Sequence, residues 1–95
     1  MPKGYIIARV EVSDEVAYMR YARAATPVID QYGGRVLVRG GPAIPLEGES
    51  RSRNVVIEFD SLAAAERYYH SPEYTAARAL RRDAAIADFV AVEGA

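Results

Sequence analysis

GGRVLVRGGPAIPLEGESRSRNVVIEF, residues 33–59, decides the fold, because it holds two strands in succession joined by a proline- and glycine-rich connection and no helix. The paired glycines Gly33-Gly34 stop a preceding helix, one of them in the left-handed conformation that lacks a Cβ penalty. Residues 35–41 then alternate, Val36 and Val38 against Arg35, Leu37 and Arg39, which is the two-residue period of a strand. Residues 53–59 alternate again, with Val55, Ile57 and Phe59 on one face and Val56 and Glu58 on the other. Between them, Gly40–Ser52 carries two prolines and three glycines and reads as a long connection.

Outward from this pair the pattern changes period. Upstream, residues 4–12 set Ile6, Ala8, Val10 and Val12 against Tyr5, Ile7, Arg9 and Glu11, a strand with one apolar and one mixed face. Ser13 or Asp14 caps a helix in which Tyr18, Tyr21, Ala22, Ala25, Val28, Ile29 and Tyr32 recur at steps of three and four. Pro27 falls inside it and is expected to kink or restart it. Downstream, Ser61 caps a helix over 62–70, and Ser71-Pro72 starts another that is expected to run to about Ala85. Residues 86–92 form the closing strand. The order β-α-β-β-α-β is the split βαβ, an α+β ferredoxin-like arrangement of one domain over residues 1–95. Its helices lie on one face of a four-stranded antiparallel sheet. The other face carries Ile7, Leu37, Val56 and Val90 with nothing to cover it, so a homodimer through that face, closing a dimeric α/β barrel, is expected.

Composition narrows the class of partner. A 95-residue chain has room for one core and buries only about 60–65% of its unfolded surface, so oligomerisation is a natural source of extra stability. With no cysteine there is neither a disulfide nor a thiolate metal site. A net charge of −1 speaks against nucleic acid or an acidic membrane surface as the main partner. Met1-Pro2-Lys3-Gly4 leads straight into a strand with no long apolar run, so neither a leader nor a span is expected and the compartment read is cytoplasmic.

Five ordered landmarks carry a resemblance over nearly the whole chain: YGGRVLVRGG (32–41), LEG (46–48), NVVIEFDS (54–61), YYHSPEY (68–74) with Arg81 after it, and VAVEG (90–94). The sequence resembles an uncharacterised bacterial domain-of-unknown-function family of the dimeric α/β-barrel superfamily. That resemblance implies a ferredoxin-like protomer and a homodimer, and no particular reaction. The wider superfamily resembles a collection of small ligand-binding proteins that includes cofactor-less monooxygenases, lactone isomerases and haem proteins, an analogy of fold and not of function.

Several residues are candidates for chemistry. Arg39 and Glu58 project from the mixed faces of the adjacent second and third strands as a cross-strand pair; they read either as an anion-binding Arg with its orienting or basic carboxylate, or as a structural salt bridge. Glu47 lies in the long connection, as part of a lid or as a turn residue. Tyr74 and Arg81 are seven apart, two helical turns, and read as a polar patch over a pocket, or as a packed tyrosine beside an Arg that caps a carboxylate such as Glu93. His70, the only histidine, sits at a helix end, where it suits the dipole or serves as a base or haem ligand. Of seven tyrosines, Tyr18 is expected to edge a cavity between helix and sheet. The functional expectation is a small-molecule-binding homodimer without cofactor or metal, either a cofactor-less isomerase or oxygenase acting on a small organic acid or aromatic, or a non-catalytic binding dimer.

Overall fold

The computed structural model describes residues 2–95. Along the chain run β1 (Gly4–Val12), α1 (Glu15–Gln31), β2 (Arg35–Arg39), β3 (Arg53–Phe59), α2 (Leu62–Tyr69), α3 (Pro72–Ala79) and β4 (Ala85–Glu93). The strands form one antiparallel sheet in the order β2-β3-β1-β4, which is the ferredoxin-like topology. The sheet is open at β2 and β4 and does not close into a barrel within the chain.

The elements start and stop where local chemistry asks. Asp14 caps α1 by accepting from the Ala17 amide at 3.1 Å. The helix ends at Tyr32 and Gly33, where Gly33 has φ of +77° and the Gly34 amide reaches back to the Ile29 carbonyl at 2.8 Å. This is the Schellman closure expected from the glycine pair. Pro27 neither restarts nor breaks α1, because it and Arg23, whose carbonyl it leaves without an amide, both lie on the exposed side. Ser61 and Ser71 cap α2 and α3 through the amides of Ala64 and Tyr74. The third helix is shorter than its periodicity predicts. It stops at Ala79, and residues 80–84 descend in tight turns until the Ala84 carbonyl accepts from the amides of Ser13 and Asp14.

The helices cover one sheet face. Ile6, Ala8, Val10, Ile57 and Phe59 from the strands are buried against Tyr18, Tyr21, Ala25, Val28 and Ile29 of α1 and against Ala64, Ala65, Tyr68, Tyr74 and Ala77 of α2 and α3. At the start of β1 the backbone of α2's cap lies so close that a Cβ on Gly4 would stand 2.3 Å from the Ser61 carbonyl oxygen.

The register of the β2–β3 pair departs from simple alternation. Arg35 pairs with Glu58 and Val36 with Ile57, but Val38 pairs with Val56 and Arg39 with Val55, so Leu37 is an extra residue in β2. Such a bulge shifts everything beyond it by one position, and therefore by one face. Val38 stands on the open face and Arg39 on the helix side, the reverse of the assignment made from strict alternation. Gly40, with φ of +64°, ends the strand two residues earlier than expected.

Candidate functional site

The helix-covered face carries an unusual set of polar groups. Tyr18 and Tyr21 sit one turn apart on the buried side of α1, with ring centroids 5.3 Å apart. Tyr74, in the first turn of α3, is fully buried, and its hydroxyl lies 2.8 Å from that of Tyr21. Arg81, in the turn after α3, is only 9% exposed. Its guanidinium stands 5.1 Å from the Tyr21 ring centroid and 4.8 Å from that of Phe89 on β4, and it donates to the Tyr74 hydroxyl at 3.4 Å. Ring faces can hold a cation where water is excluded. Its Nε is nevertheless buried without a hydrogen-bond partner.

A second arginine enters from the sheet. Arg53 begins β3 on the same face as Val55, Ile57 and Phe59, and its guanidinium lies over the Tyr18 ring, 5.2 Å from the centroid. Gly40 permits this position, because a Cβ there would meet the Arg53 guanidinium at 2.7 Å. Here too Nε is buried and unpartnered. Arg53 and Arg39 line a narrow cleft of about 50 Å³ between α1 and the sheet, walled by Tyr18, Tyr21, Tyr68, Phe89 and small apolar side chains. Two of its lining residues are cationic and none is acidic. Among the described residues, the ion pairs are Lys3–Asp60, Arg35–Glu58 and Arg51–Asp88, so Arg39, Arg53 and Arg81 are all free of carboxylate partners.

Burial sets the protonation of the tyrosines. It pushes the hydroxyl of Tyr21 well above the ordinary phenol range, reinforced by the neighbouring Tyr74, and raises Tyr18 and Tyr68 in the same direction. At neutral pH these groups remain protonated and act as hydrogen-bond donors and acceptors, not as bases. The Tyr21–Tyr74 bond uses one of the two hydroxyl protons, and the guanidinium of Arg81 beside it brings further donors and no acceptor.

Arg39 and Glu58 do not form the pair anticipated from the sequence. The bulge carries Arg39 to the cleft side, whereas Glu58 is on the open face, where it accepts from Arg35 and, at 3.1 Å, from the Tyr5 hydroxyl. These two donors hold the Glu58 carboxyl below the usual carboxylate range. Tyr74 and Arg81 do meet: Tyr74 is buried in the core, Arg81 also lines a hollow with Thr75, Arg78 and Arg82, and among the described residues no ion pair joins Arg81 to Glu93. Tyr18 edges the cleft as expected. His70 is the exposed C-cap of α2, edge-on to Tyr69, and lines a separate hollow of about 340 Å³ beside β4 together with Glu66 and Leu62. Glu47 lies in the connection that crosses the open face, which Arg9 holds through the Glu49 carbonyl and Glu11 through Ser52. The seven candidates thus fall in five places. The residue that sequence reasoning missed is Arg53. Its signal was there: the alternation that buries Val55, Ile57 and Phe59 places Arg53 on their face.

Solved structures share this architecture. A protein of unknown function from Rhodopseudomonas palustris, RPA0582, superposes with a TM-score of 0.81 at 21% identity, over 99% of this chain and 83% of that one. A dimeric protein of unknown function and ferredoxin-like fold from Bacteroides fragilis gives 0.66 at 17%, over 96% and 95%. SnoaB, a cofactor-independent oxygenase from Streptomyces nogalater, gives 0.67 at 10%, over 97% and 92%. At these identities the likeness establishes the fold alone. Among curated proteins none matches. The model of a domain of unknown function, DUF1330, matches residues 3–95, nearly the entire sequence, and the chain therefore belongs to the DUF1330 family.

Proposed function

We propose that this chain is a homodimeric small-molecule-binding protein whose ligand, a small organic acid or aromatic, occupies the cleft between α1 and the sheet. The observation that carries the reading is the pair Arg39 and Arg53 in a tyrosine-walled cleft without a single acidic side chain. Unpaired guanidinium groups in a partly desolvated site favour an incoming carboxylate or enolate, because the protein supplies no competing anion. The aromatic walls favour a small apolar group beside it. Glu58 and His70 lie outside the cleft, so the chemistry available there is binding and polarisation by Arg and Tyr donors. A cofactor-less isomerase or oxygenase would use those donors to stabilise an enolate; a non-catalytic binding dimer would use them only to hold it.

The dimer part rests on the open face. Leu37 and Val90 are 51% and 54% exposed there, and with Val38, Ile86 and Val92 they stand on the two edge strands, linked across the face by the register Val38–Val56–Ile7–Val90; an exposed apolar sheet face marks an interface. The fold neighbour from Bacteroides fragilis is described as dimeric.

The binding reading is tested by thermal shift against small carboxylates and phenols. A ligand at a hundred times its Kd stabilises by about 2.7 kcal/mol. The expected result is a raised Tm for the wild type and a smaller rise for Arg39→Ala. An equal response from the variant, or none from the wild type, overturns it.

A further inference from the structure

We infer that the ligand is a short-chain oxo acid of two or three carbons, not an aromatic compound; this rests on the cleft reading above and names its substrate class. Size decides first. The cleft holds about 50 Å³. A water-sized group occupies about 10–15 Å³, whereas a dry cavity that accepts benzene measures about 150 Å³. The space therefore takes a carboxylate and one or two further groups, and an aromatic ring does not fit. Charge decides next. Arg39 and Arg53 enter from the strands, and Arg53 has a buried Nε without a partner. This end takes a carboxylate, whose two oxygens match a planar fork.

Hydrogen-bond polarity decides the remainder. Tyr21 faces the same cleft from α1, and its hydroxyl is coupled to that of Tyr74, which also accepts from Arg81. Burial keeps these phenols protonated, and Arg81 adds positive charge behind the rings of Tyr21 and Phe89 with no acid to neutralise it. With Tyr74 accepting from Arg81 and donating to Tyr21, the Tyr21 proton is left for the cleft, and the tyrosine side is a donor site. A ligand that spans both ends presents acceptors at both: a carboxylate toward the arginines and a carbonyl oxygen toward Tyr21. A 2-oxo acid has that form, whereas an amino acid places a cation where the cleft is already positive.

The test is titration calorimetry of the intact protein, with matched sodium chloride as control, using pyruvate and glyoxylate against acetate, benzoate and phenol. Pyruvate or glyoxylate is expected to bind at least tenfold more tightly than acetate and benzoate. Arg53→Gln is expected to weaken it at least tenfold; if that variant does not fold, Arg39→Gln, at an exposed position, takes its place. Tyr21→Phe, which removes only a hydroxyl, is expected to weaken the oxo acids and leave acetate unchanged. Equal losses for oxo acids and acetate in Tyr21→Phe overturn the two-ended ligand. Binding of benzoate or phenol without the short acids overturns the substrate class and leaves the cleft reading standing. If no probe binds, both readings fall together.

Discussion

Gly40 and Arg53 show how much a single backbone position can control. Gly40 lies at φ of +64°, and its missing Cβ is the space into which the Arg53 guanidinium lies, over the ring of Tyr18. Gly40→Ala would add left-handed strain of about 1–2 kcal/mol and push the guanidinium aside. A Tm lower by several degrees in calorimetry, together with weakened binding of the small acids, is the expected outcome. An unchanged affinity would show that the position of Arg53 is immaterial. Glu58 makes a different prediction. Its carboxyl is held below the usual range by hydrogen bonds from Arg35 and Tyr5. A depressed folded value means that the ionised form stabilises the fold at pH above the unfolded value of about 4.3, and that this contribution fades as pH falls through the lower folded value. Glu58→Gln should therefore destabilise at pH 7 and show less additional loss than the wild type on acidification from about pH 4.5, measured by denaturation at a series of pH values. Parallel acid limbs would sink the idea.

At the scale of elements, the junction between α2 and α3 is held by one buried side chain. Ser71 is 4% exposed; its hydroxyl donates to the Tyr68 carbonyl at 2.7 Å while accepting from the Tyr74 amide at 3.0 Å. The same turn therefore sets both the end of one helix and the position of Tyr74. Ser71→Ala removes the cap and leaves a buried amide without a partner, a loss of about 1–2 kcal/mol. Urea denaturation should show a lower midpoint with an unchanged slope, whereas a midpoint within error of the wild type would mean that the cap is dispensable. The β2 bulge is the other element-scale device, since one extra residue, Leu37, separates Arg39 from Glu58 by a whole face of the sheet.

The whole molecule has two unlike sheet faces, one packed under helices and one bare. If the bare face joins a second copy as proposed, Leu37→Asp or Val90→Asp places an unpaired charge in that contact at a penalty of several kcal/mol. Light scattering should then show a monomer where the wild type is a dimer. A variant that remains dimeric would place the interface elsewhere. The 40–52 connection covers one end of this face, at Arg9, Glu11 and Asn54, and leaves the rest bare; its Ile44 and Leu46 are among the most exposed apolar residues, at 83% and 92%.

The order of elements, the caps at Asp14, Ser61 and Ser71, the glycine stop after α1 and the bare sheet face were all legible in the sequence, because each follows from the period or chemistry of neighbouring residues. Tyr18 at the cleft was legible for the same reason. What only the tertiary structure decided depends on relations between distant segments. The bulge that turns Arg39 away from Glu58 is a property of two strands together, and neither strand's alternation contains it. The end of α3 at Ala79 follows from the need to bring the Ala84 carbonyl to the start of α1, and that turn carries Arg81 into the tyrosine cluster. Local periodicity shows which face a residue shares with its neighbours, whereas the partner across that face is fixed only when the chain closes on itself.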